Sequence, residues 1–345
     1  MAGDPGVDAK VQVSRRNFTL GAVVVLTAAC TKVSQGNAKA QATFWSQYRE
    51  RFVLPTGRVI DNGNGNISHS ESQGYGMLLA TIHNDRKTFD SLARWTAETL
   101  LRPDIALHAW KYDPRELDPV ADPNNATDGD MLIAWALSRA AQQWQVPDYA
   151  QRSRAIRQAI RSRLVVERAG RMVLLPGLQG FADQARVVVN PSYYIWSALD
   201  AFAALDGEAV WAPVIDDGVR LLSDARFGPL SLPVDWFQID SAGKLAPATD
   251  KPHRFGFDAI RVPLYAAAGR RLAVAETVVA WWKTYADSGK PIPAWIDVLT
   301  GETAPYALSE GGMAAVGRTI GSPQPDALAQ DYYAATLQML ARDMI

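Results

Sequence analysis

Three acidic residues stand where a polar loop gives way to an apolar, helix-like run: Glu71, Asp128 and Asp258. A carboxylate at a helix start is favoured by the helix dipole or serves as an N-cap, so each acid alone has a purely structural interpretation. Together they permit chemistry. Glycosyl transfer to water needs one protonated carboxylic acid for the leaving oxygen and one ionised carboxylate to activate the water.

The surroundings of two of these acids indicate more than capping. Gly74 and Gly76 follow Glu71 early in the predicted helix, where each glycine costs about 1 kcal/mol relative to alanine. Glycine at both positions therefore indicates that another group approaches the backbone of this helix closely. Arg261 lies one turn after Asp258, where it either forms a simple ion pair or lowers the pKa of that carboxyl and so keeps a base ionised.

The middle acid precedes an almost wholly apolar stretch, residues 131–144, as expected for a helix buried on most sides. Thr127 or Asp128 could cap this helix, with Asp130 in its first turn. The acid-bearing helix starts could also meet on one face of a ring of helical hairpins. Both interpretations remain open from the sequence.

Metal and cofactor chemistry find little support in the sequence. Cys30 is the single cysteine, and the four histidines lack an i, i+4 pair. The 61–66 loop fails the calcium-loop register, because glycines fall on ligand positions and Ser72 falls where the bidentate Glu belongs. We expect no metal and no cofactor.

Charge and aromatic content narrow the class of partner. The formal net charge is −1, with 35 basic against 36 acidic residues, so no basic surface for nucleic acid or for an anionic membrane is indicated. The chain has 11 Trp, which serve cores first but also suit a carbohydrate cleft, because a sugar face packs on an indole.

The first forty residues have the pattern of an export leader. Residues 14–18 resemble a twin-arginine motif, and a short apolar stretch, 20–29, follows it. Signal peptidase would cut after Ala40, whereas a lipobox-like alternative would make Cys30 a lipidated N-terminus. We expect residues 1–40 to be a signal peptide and the mature protein to be periplasmic or secreted, or anchored as a lipoprotein.

Helical periodicity dominates the rest of the chain, and residues 41–345 are predicted to form a single domain. The predicted helices are 43–53, 73–83, 87–100, 129–144, 148–164, 191–205, 208–224, 257–268, 271–288, 307–319 and 325–342; the predicted strands are 171–175 and 231–238. About a dozen helices without a strict repeat fit a toroid of helical hairpins better than a solenoid.

The segment around Asp128 resembles the signature of glycoside hydrolase family 8. It reads Ala-Thr-Asp-Gly-Asp, then two residues, Ile-Ala-Trp-Ala-Leu, and later Ala140 and Trp144. The Glu71 segment resembles the acid motif of that family, with Ser72 where many relatives have Gly. Further segments at 57–61, 174–177, 190–193, 235–236 and 258–261 resemble periplasmic cellulases associated with bacterial cellulose synthesis.

The resemblance covers about residues 44–320 and implies an all-α (α/α)6 barrel with an inverting mechanism on β-1,4-glucan. Carried over by motif, Glu71 is the general acid and Asp258 the general base. Asp128 grips the sugar before the cut. Tyr193 and Arg261 support the water and the base. An inverting enzyme needs about 6.5–9.5 Å between its two carboxyls.

Three tryptophans are candidates for stacking on sugar: Trp110, Trp135 and Trp236. Trp110 and Trp236 stand in loop-like contexts, and Trp135 is equally consistent with plain core. Tyr194 is a weaker candidate.

The sequence therefore predicts an endo-acting β-1,4-glucanase, expected to be a monomer. The resemblance adds a role in bacterial cellulose synthesis and an association with the synthase machinery. Two alternatives remain: a family 8 hydrolase acting on chitosan, xylan or mixed-linkage glucan, and a catalytically silent glucan-binding barrel.

Overall fold

Helices form most of the chain that the computed structural model describes, residues 44–344. Their bounds are α1 44–52, α2 Ser70–Ile82, α3 Arg86–Thr99, α4 Thr127–Trp144, α5 Pro147–Arg163, α6 Trp196–Asp206, α7 Glu208–Asp224, α8 Arg261–Ala268, α9 Glu276–Ser288, α10 Glu310–Ile320 and α11 Tyr332–Asp343. Two short 3-10 turns, Pro191–Tyr193 and Leu272–Ala275, precede α6 and α9. The expected signal peptide, with its twin arginines and Cys30, lies outside the described residues.

The strands are short and antiparallel. They are β1 Ser68–His69, β2 Leu101–Arg102, β3 Leu107–His108, β4 Lys111–Tyr112, β5 Val165–Arg168, β6 Arg171–Leu174, β7 Arg186–Val189, β8 Phe237–Asp240, β9 Leu245–Pro247, β10 Arg254–Phe255 and β11 Ile296–Asp297. β1 pairs with β4, β2 with β3, β5 with β6 and β10 with β11, while β7, β8 and β9 form one sheet. β1 leads directly into α2, and β10 leads into the turn before α8, so these strands fix where the acid-bearing segments begin.

The helices form an inner and an outer ring. α2, α4, α6, α8 and α10 each contact the next in that order, and α11 contacts both α10 and α2. Burial explains the division: α2, α4 and α11 are buried over most of their length, whereas α3 and α5 bury one stripe. The expected (α/α)6 barrel is confirmed, with apolar inner helices surrounded by amphipathic outer ones.

Two inner helices, α2 and α4, approach each other unusually closely at the ends that carry Glu71 and Asp128. A Cβ on Gly129 would stand 2.1 Å from Ser70 Oγ, and a Cβ on Gly74 would stand 2.5 Å from Leu132 Cβ. Glycine at both positions lets the two helix starts meet. The close backbone approach expected at Gly74 therefore has a concrete partner, namely α4.

The predicted helices differ from the observed ones mainly at their first turns. α2 begins at Ser70 rather than at 73, and α8 begins at Arg261 rather than at 257. The predicted strand at 231–238 is wrong over most of its length, because only its end enters β8 and the preceding residues form a loop. Pro233 lacks the N–H that a ladder requires, and Asp235 is engaged elsewhere.

No helix within residues 44–344 is long and apolar enough to cross a membrane.

Candidate active site

A single guanidinium connects the three acids that the sequence singled out. Arg261, at the start of α8, contacts Glu71 Oε1 through one terminal nitrogen, which also lies 3.4 Å from Asp128 Oδ2. The other terminal nitrogen lies 2.5 Å from Asp258 Oδ1. The side chain of Arg261 is 4% exposed, so these contacts are shielded from bulk water. The structure thus brings all three acids and Arg261 together.

The start of α2 is held by a reciprocal cap that orients Glu71. His69 Nδ1 accepts a hydrogen bond from the backbone N–H of Ser72 at 3.1 Å, and Ser72 Oγ accepts one from the N–H of His69 at 3.1 Å. The hydroxyl of Ser72 thereby stabilises the turn that carries the acid. The capping therefore belongs to His69 and Ser72, and Glu71 is left free for other contacts.

Glu71 projects from that turn into a group of polar side chains. The hydroxyl of Tyr75 donates to Glu71 Oε1 at 3.3 Å, and His69 Nδ1 lies 3.6 Å from Glu71 Oε2. Tyr75 also shares a hydrogen bond with the hydroxyl of Tyr265 from α8. These contacts link the first turns of α2 and α8, and they leave the Glu71 side chain 15% exposed at the rim of the barrel.

Asp128 is almost fully buried in the first turn of α4, with 3% exposure. The N-cap of this helix is Ala126, without a side-chain hydrogen bond, so neither Thr127 nor Asp128 caps it. Asp128 Oδ1 accepts from the N–H of Gly129 at 2.8 Å. Burial, together with the nearby carboxylates, raises the pKa of Asp128 to about 8.

Asp130, two residues further along α4, has a structural role. Its Oδ1 accepts from the backbone N–H of His108 at 2.9 Å and lies 2.8 Å from His108 Nδ1, while its Oδ2 accepts from Asn125 Nδ2 at 3.0 Å. These bonds attach the start of α4 to β3 and to the preceding loop. They fix the position of Asp128 along the barrel axis.

Asp258 lies in a turn immediately before α8, and Asp235 holds that turn. Asp235 Oδ1 accepts three backbone N–H groups, from Gly256 at 3.0 Å, Asp258 at 3.1 Å and Ala259 at 2.7 Å. The turn consequently stays outside the helix, and the Asp258 side chain remains 30% exposed. Asp258 is thus the most accessible of the three acids that contact Arg261.

The pKa values of Asp258 and of its neighbour Asp235 are both raised. Burial raises the pKa of Asp258 to about 6, and the nearby side chains of Asn190 and Trp236 limit the rise. Burial and the charge of Asp258 raise the pKa of Asp235 to about 7, against the lowering effect of its three backbone bonds. Asp258 is therefore mostly ionised at neutral pH, as a base must be.

Tyr193 joins the cluster from the 3-10 turn between β7 and α6. Burial and the neighbouring charges of Asp128 and Asp258 raise the pKa of Tyr193 well above its ordinary value, so the hydroxyl keeps its proton. Its predicted place beside the acids is where the structure puts it. Tyr194, the weaker stacking candidate, is 1% exposed and its hydroxyl accepts from Leu174 N at 3.2 Å, so it belongs to the core.

Two of the three candidate tryptophans flank the acids. The carbonyl of Trp110 accepts from the N–H of Ser70 at 3.0 Å, which places the Trp110 backbone next to the Glu71 turn, and the indole N–H donates to Asp122 Oδ2 at 2.7 Å. Trp236 follows Asp235 directly, acts on the Asp258 carboxyl, and stacks on Phe181 at 5.9 Å between ring centroids. Both rings are partly exposed and can contact a polymer chain.

Trp135 does not join the cluster. It is 7% exposed in the middle of α4, seven residues or about 10 Å along the axis from Asp128. It lines a separate cavity of about 910 Å³ near the C-terminal end of α4, together with Arg139 and Leu205. We therefore withdraw Trp135 from the sugar contacts and assign it to core packing.

Sequence reasoning gave no role to several residues of the cluster. Asp235 and Asn190 stand out in the sequence only as parts of segments that resemble the family, and Tyr75 and Tyr265 carry no local signal. Each acts on a residue at least 23 positions away, apart from the Tyr75 contact with Glu71. No local pattern signals such contacts. Within residues 44–344, no group of three or more His, Cys, Asp or Glu is arranged to hold a metal ion.

Comparison with known proteins gives the context of this arrangement. Residues 14–344 match the profile of the family described as glycosyl hydrolases family 8. An endoglucanase from Cellulomonas uda is 43% identical over 302 residues, covering 87% of this chain and 82% of that protein. Two crystal structures superpose with a TM-score of 0.83: a family 8 endoglucanase from Klebsiella pneumoniae (43% identity; 87% and 97% of the chains covered) and an endo-β-1,4-glucanase from Acetobacter xylinum (38%; 88% and 97%).

Proposed function

This chain belongs to glycosyl hydrolase family 8, and we propose that it is an inverting endo-β-1,4-glucanase that cuts within β-glucan chains. The similar proteins named endoglucanase, at 38–43% identity over most of the chain, support the activity. The observation that carries the assignment of the site is the contact of one buried guanidinium, Arg261, with Glu71, Asp128 and Asp258. A silent binder would have no need of three carboxyls gathered at such electrostatic cost.

In the proposed reaction Glu71 is the general acid. It donates its proton to the glycosidic oxygen as the bond from that oxygen to C1 breaks, and the bonding electrons stay with the leaving oxygen. Glu71 touches Arg261 in the sugar-free protein, and that contact favours the ionised carboxylate. We therefore propose that the leaving oxygen replaces Arg261 as the partner of Glu71 when substrate enters the rim.

Asp258 is the general base in this scheme. It removes a proton from a water molecule as the water oxygen bonds to C1 from the opposite face of the sugar. At the end of the step Asp258 is protonated, Glu71 is ionised, and exchange with solvent restores both. The partial exposure of Asp258 and its pKa of about 6 suit this role, because a base works best near the operating pH.

The remaining residues of the cluster bind and orient substrate. Asp128, with its raised pKa, can donate a hydrogen bond to the sugar before the cut as well as accept one. Tyr193 supports the water, and Arg261 holds the base. Trp110 and Trp236, both partly exposed, offer rings on which glucose units can pack.

We further propose that the protein is exported and acts in the periplasm or outside the cell. The support is the order of a twin-arginine motif at 14–18, an apolar stretch and small residues before position 41. A part in cellulose synthesis beside the synthase machinery rests on the resemblance of the Gly57–Asp61 and neighbouring segments to cellulases of that setting.

The first experiment measures viscosity loss and reducing-end release on carboxymethyl-cellulose. The wild type should lower viscosity much faster than it releases ends, because internal cuts shorten the chain most. Glu71→Gln and Asp258→Asn should each lose activity by about 10³-fold or more. Glu50→Gln, an exposed acid on α1, is the matched control and should keep full activity.

Folding and stereochemistry complete the test. Circular dichroism and the thermal midpoint should show that all three variants fold. Proton NMR of the first product should show the α-anomer, as inversion requires; the β-anomer would contradict the assignment of Asp258 as base. A wild type that binds polymer without releasing ends would favour the silent binder, after chitosan, xylan and mixed-linkage glucan have been tried.

A further inference from the structure

Asn190 has a buried side-chain amide whose N–H donors have no hydrogen-bond partner among the described residues. Its side chain is 1% exposed at the end of β7. Asn190 Oδ1 accepts from the backbone N–H of Ser192 at 3.0 Å and from Ser192 Oγ at 2.6 Å. A backbone N–H can only donate, so the atom that faces it must be the oxygen, and the orientation of the amide is fixed by chemistry.

This orientation directs Nδ2 away from the turn. Among the described residues Nδ2 has no acceptor within hydrogen-bonding distance, although it is buried. An unsatisfied buried donor costs free energy, so such groups normally have a water or ligand as partner. The amide is close enough to Asp258 to lower the pKa of that carboxyl. Asn190 Nδ2 thus lies near the base but outside direct hydrogen-bonding geometry with it.

We propose that Asn190 Nδ2 holds the water that attacks the sugar, in the gap between the amide and Asp258. The water donates one proton to Asp258, accepts the hydrogen bond of Nδ2 with one lone pair, and points its other lone pair at C1. The inference rests on the proposed hydrolysis and on Asp258 as its base. It adds a group that aims the water and that keeps it in place before bond formation.

The arrangement accounts for the whole 190–193 turn. Asn190 caps this turn through Oδ1, and Tyr193 at the other end of it contacts Asp128. One rigid turn therefore carries both Asn190, which acts on the attacking water, and Tyr193, which acts near the sugar. Ser192, fully buried, locks the amide without itself facing the acids.

The test uses two substitutions of Asn190 and one control. Asn190→Asp keeps the oxygen that binds Ser192 and replaces the donor by a second carboxylate oxygen, so the turn should fold. Asn190→Ala removes both groups. We expect kcat to fall about 10- to 100-fold in each, with KM changed less than about threefold, because a misplaced water slows the chemical step rather than binding.

The pH dependence of kcat/KM distinguishes a residue that positions the water from one that only stabilises the fold. Loss of the donor removes an interaction that lowers the pKa of Asp258, and Asn190→Asp adds a like charge; both changes raise that pKa. The base must be ionised, so the acid limb of kcat/KM should move to higher pH in both variants. Ser192→Ala loosens the turn but keeps the amide donor, and its acid limb should stay in place.

A crystal structure of the unchanged enzyme at high resolution gives a second readout that needs no variant. It should show an ordered water within about 3.2 Å of both Asn190 Nδ2 and an Asp258 oxygen. Absence of this water, or folded Asn190 variants with the wild-type kcat and acid limb, would overturn the proposal. An inactive wild type would instead overturn the proposed function, and the water could still be present.

Discussion

At the scale of single residues, the site depends on carboxyls that sit in different surroundings. Asp258 is partly exposed with a pKa of about 6, and Asp128 is buried with a pKa of about 8. Their environments thus separate the two pKa values, with the lower value on the proposed base and the higher one on the proposed sugar-binding acid. The sequence could nominate both residues, but it could not rank their pKa values, because burial and neighbours set those values.

The acid limb of the pH profile should report Asp258. Activity requires the ionised base, so kcat/KM should fall about tenfold per pH unit below a pH of about 6 and level off above it. The measurement should use neutral cello-oligosaccharides, since the carboxyls of carboxymethyl-cellulose titrate in the same range. An acid limb near pH 4 would instead mean that burial does not raise the pKa of Asp258.

Arg261→Lys should lower activity about 10²-fold although the charge is kept. A compact ammonium cannot contact three carboxyls as a planar guanidinium does, so the acids would lose their mutual positions. The control is Arg271→Lys, because Arg271 binds Asp200 in a bidentate pair at 2.7 and 2.8 Å on the outer part of the barrel. Equal activity of both variants in steady-state assays would show that Arg261 supplies charge alone.

At the scale of elements, helical periodicity predicted which segments are helices, and the α7 segment matches its prediction from 208 to 224. Helix starts were less predictable. α2 begins three residues early because the imidazole of His69 and the hydroxyl of Ser72 cap it, a pair that no common capping pattern announces. α8 begins later than predicted because Asp235, distant in sequence, accepts three N–H groups of the turn that precedes the helix.

Gly129→Ala should disrupt the meeting of α2 and α4. Its Cβ would stand 2.7 Å from the backbone nitrogen of Glu71, so the helix that carries the acid must shift. We expect a loss of about 1–3 kcal/mol in the free energy of unfolding, together with a lower kcat. Chemical denaturation and kinetics on the same samples measure both quantities.

Gly317→Ala in α10 is the matched control for this change. Its Cβ would stand 2.8 Å from the carbonyl oxygen of Ser322, away from the three acids. It should reduce stability and leave kcat per folded molecule unchanged. If Gly129→Ala behaved in the same way, the spacing of α2 and α4 would matter for folding alone.

At the scale of the whole molecule, a buried carboxyl with a raised pKa makes the free energy of unfolding fall as the pH rises. The folded pKa of Asp128 is raised above its unfolded value, so its contribution is fully present below about pH 4 and is lost as the pH rises through about 8. Carboxyls with lowered pKa values, such as Asp206, are ionised in both states above pH 5 and add no slope there.

Asp128→Asn should therefore become more stable relative to the wild type as the pH rises. Between pH 5 and pH 8.5 its advantage in the free energy of unfolding should grow by on the order of 4 kcal/mol, since about three pH units separate pH 5 from the folded pKa and each corresponds to about 1.4 kcal/mol. Asp206→Asn should show a constant difference over the same range. Denaturant titrations at four pH values test this, and a constant difference for both variants would contradict the raised pKa.

A ring of helical hairpins was predictable from periodicity, and the resemblance to the family implied the (α/α)6 barrel and nominated the three acids that contact Arg261. The mutual arrangement of the acids was not predictable from local sequence. Glu71, Asp128 and Asp258 lie on three different elements, and only closure of the ring through α11 and α2 brings their first turns to one rim. Trp135 shows the limit, because its sequence position was equally consistent with sugar contact and with core, and only its burial decides for the core.

The shared guanidinium makes the three carboxyls energetically inseparable. Each acid is held partly by the charge that holds the other two, so the effects of single replacements should not add; a double replacement should cost little more than the worse single one. A lineage that exchanged one acid would lose nearly all activity at once. Divergence of such a site therefore has to proceed through the residues around Arg261 before it can reach the acids themselves.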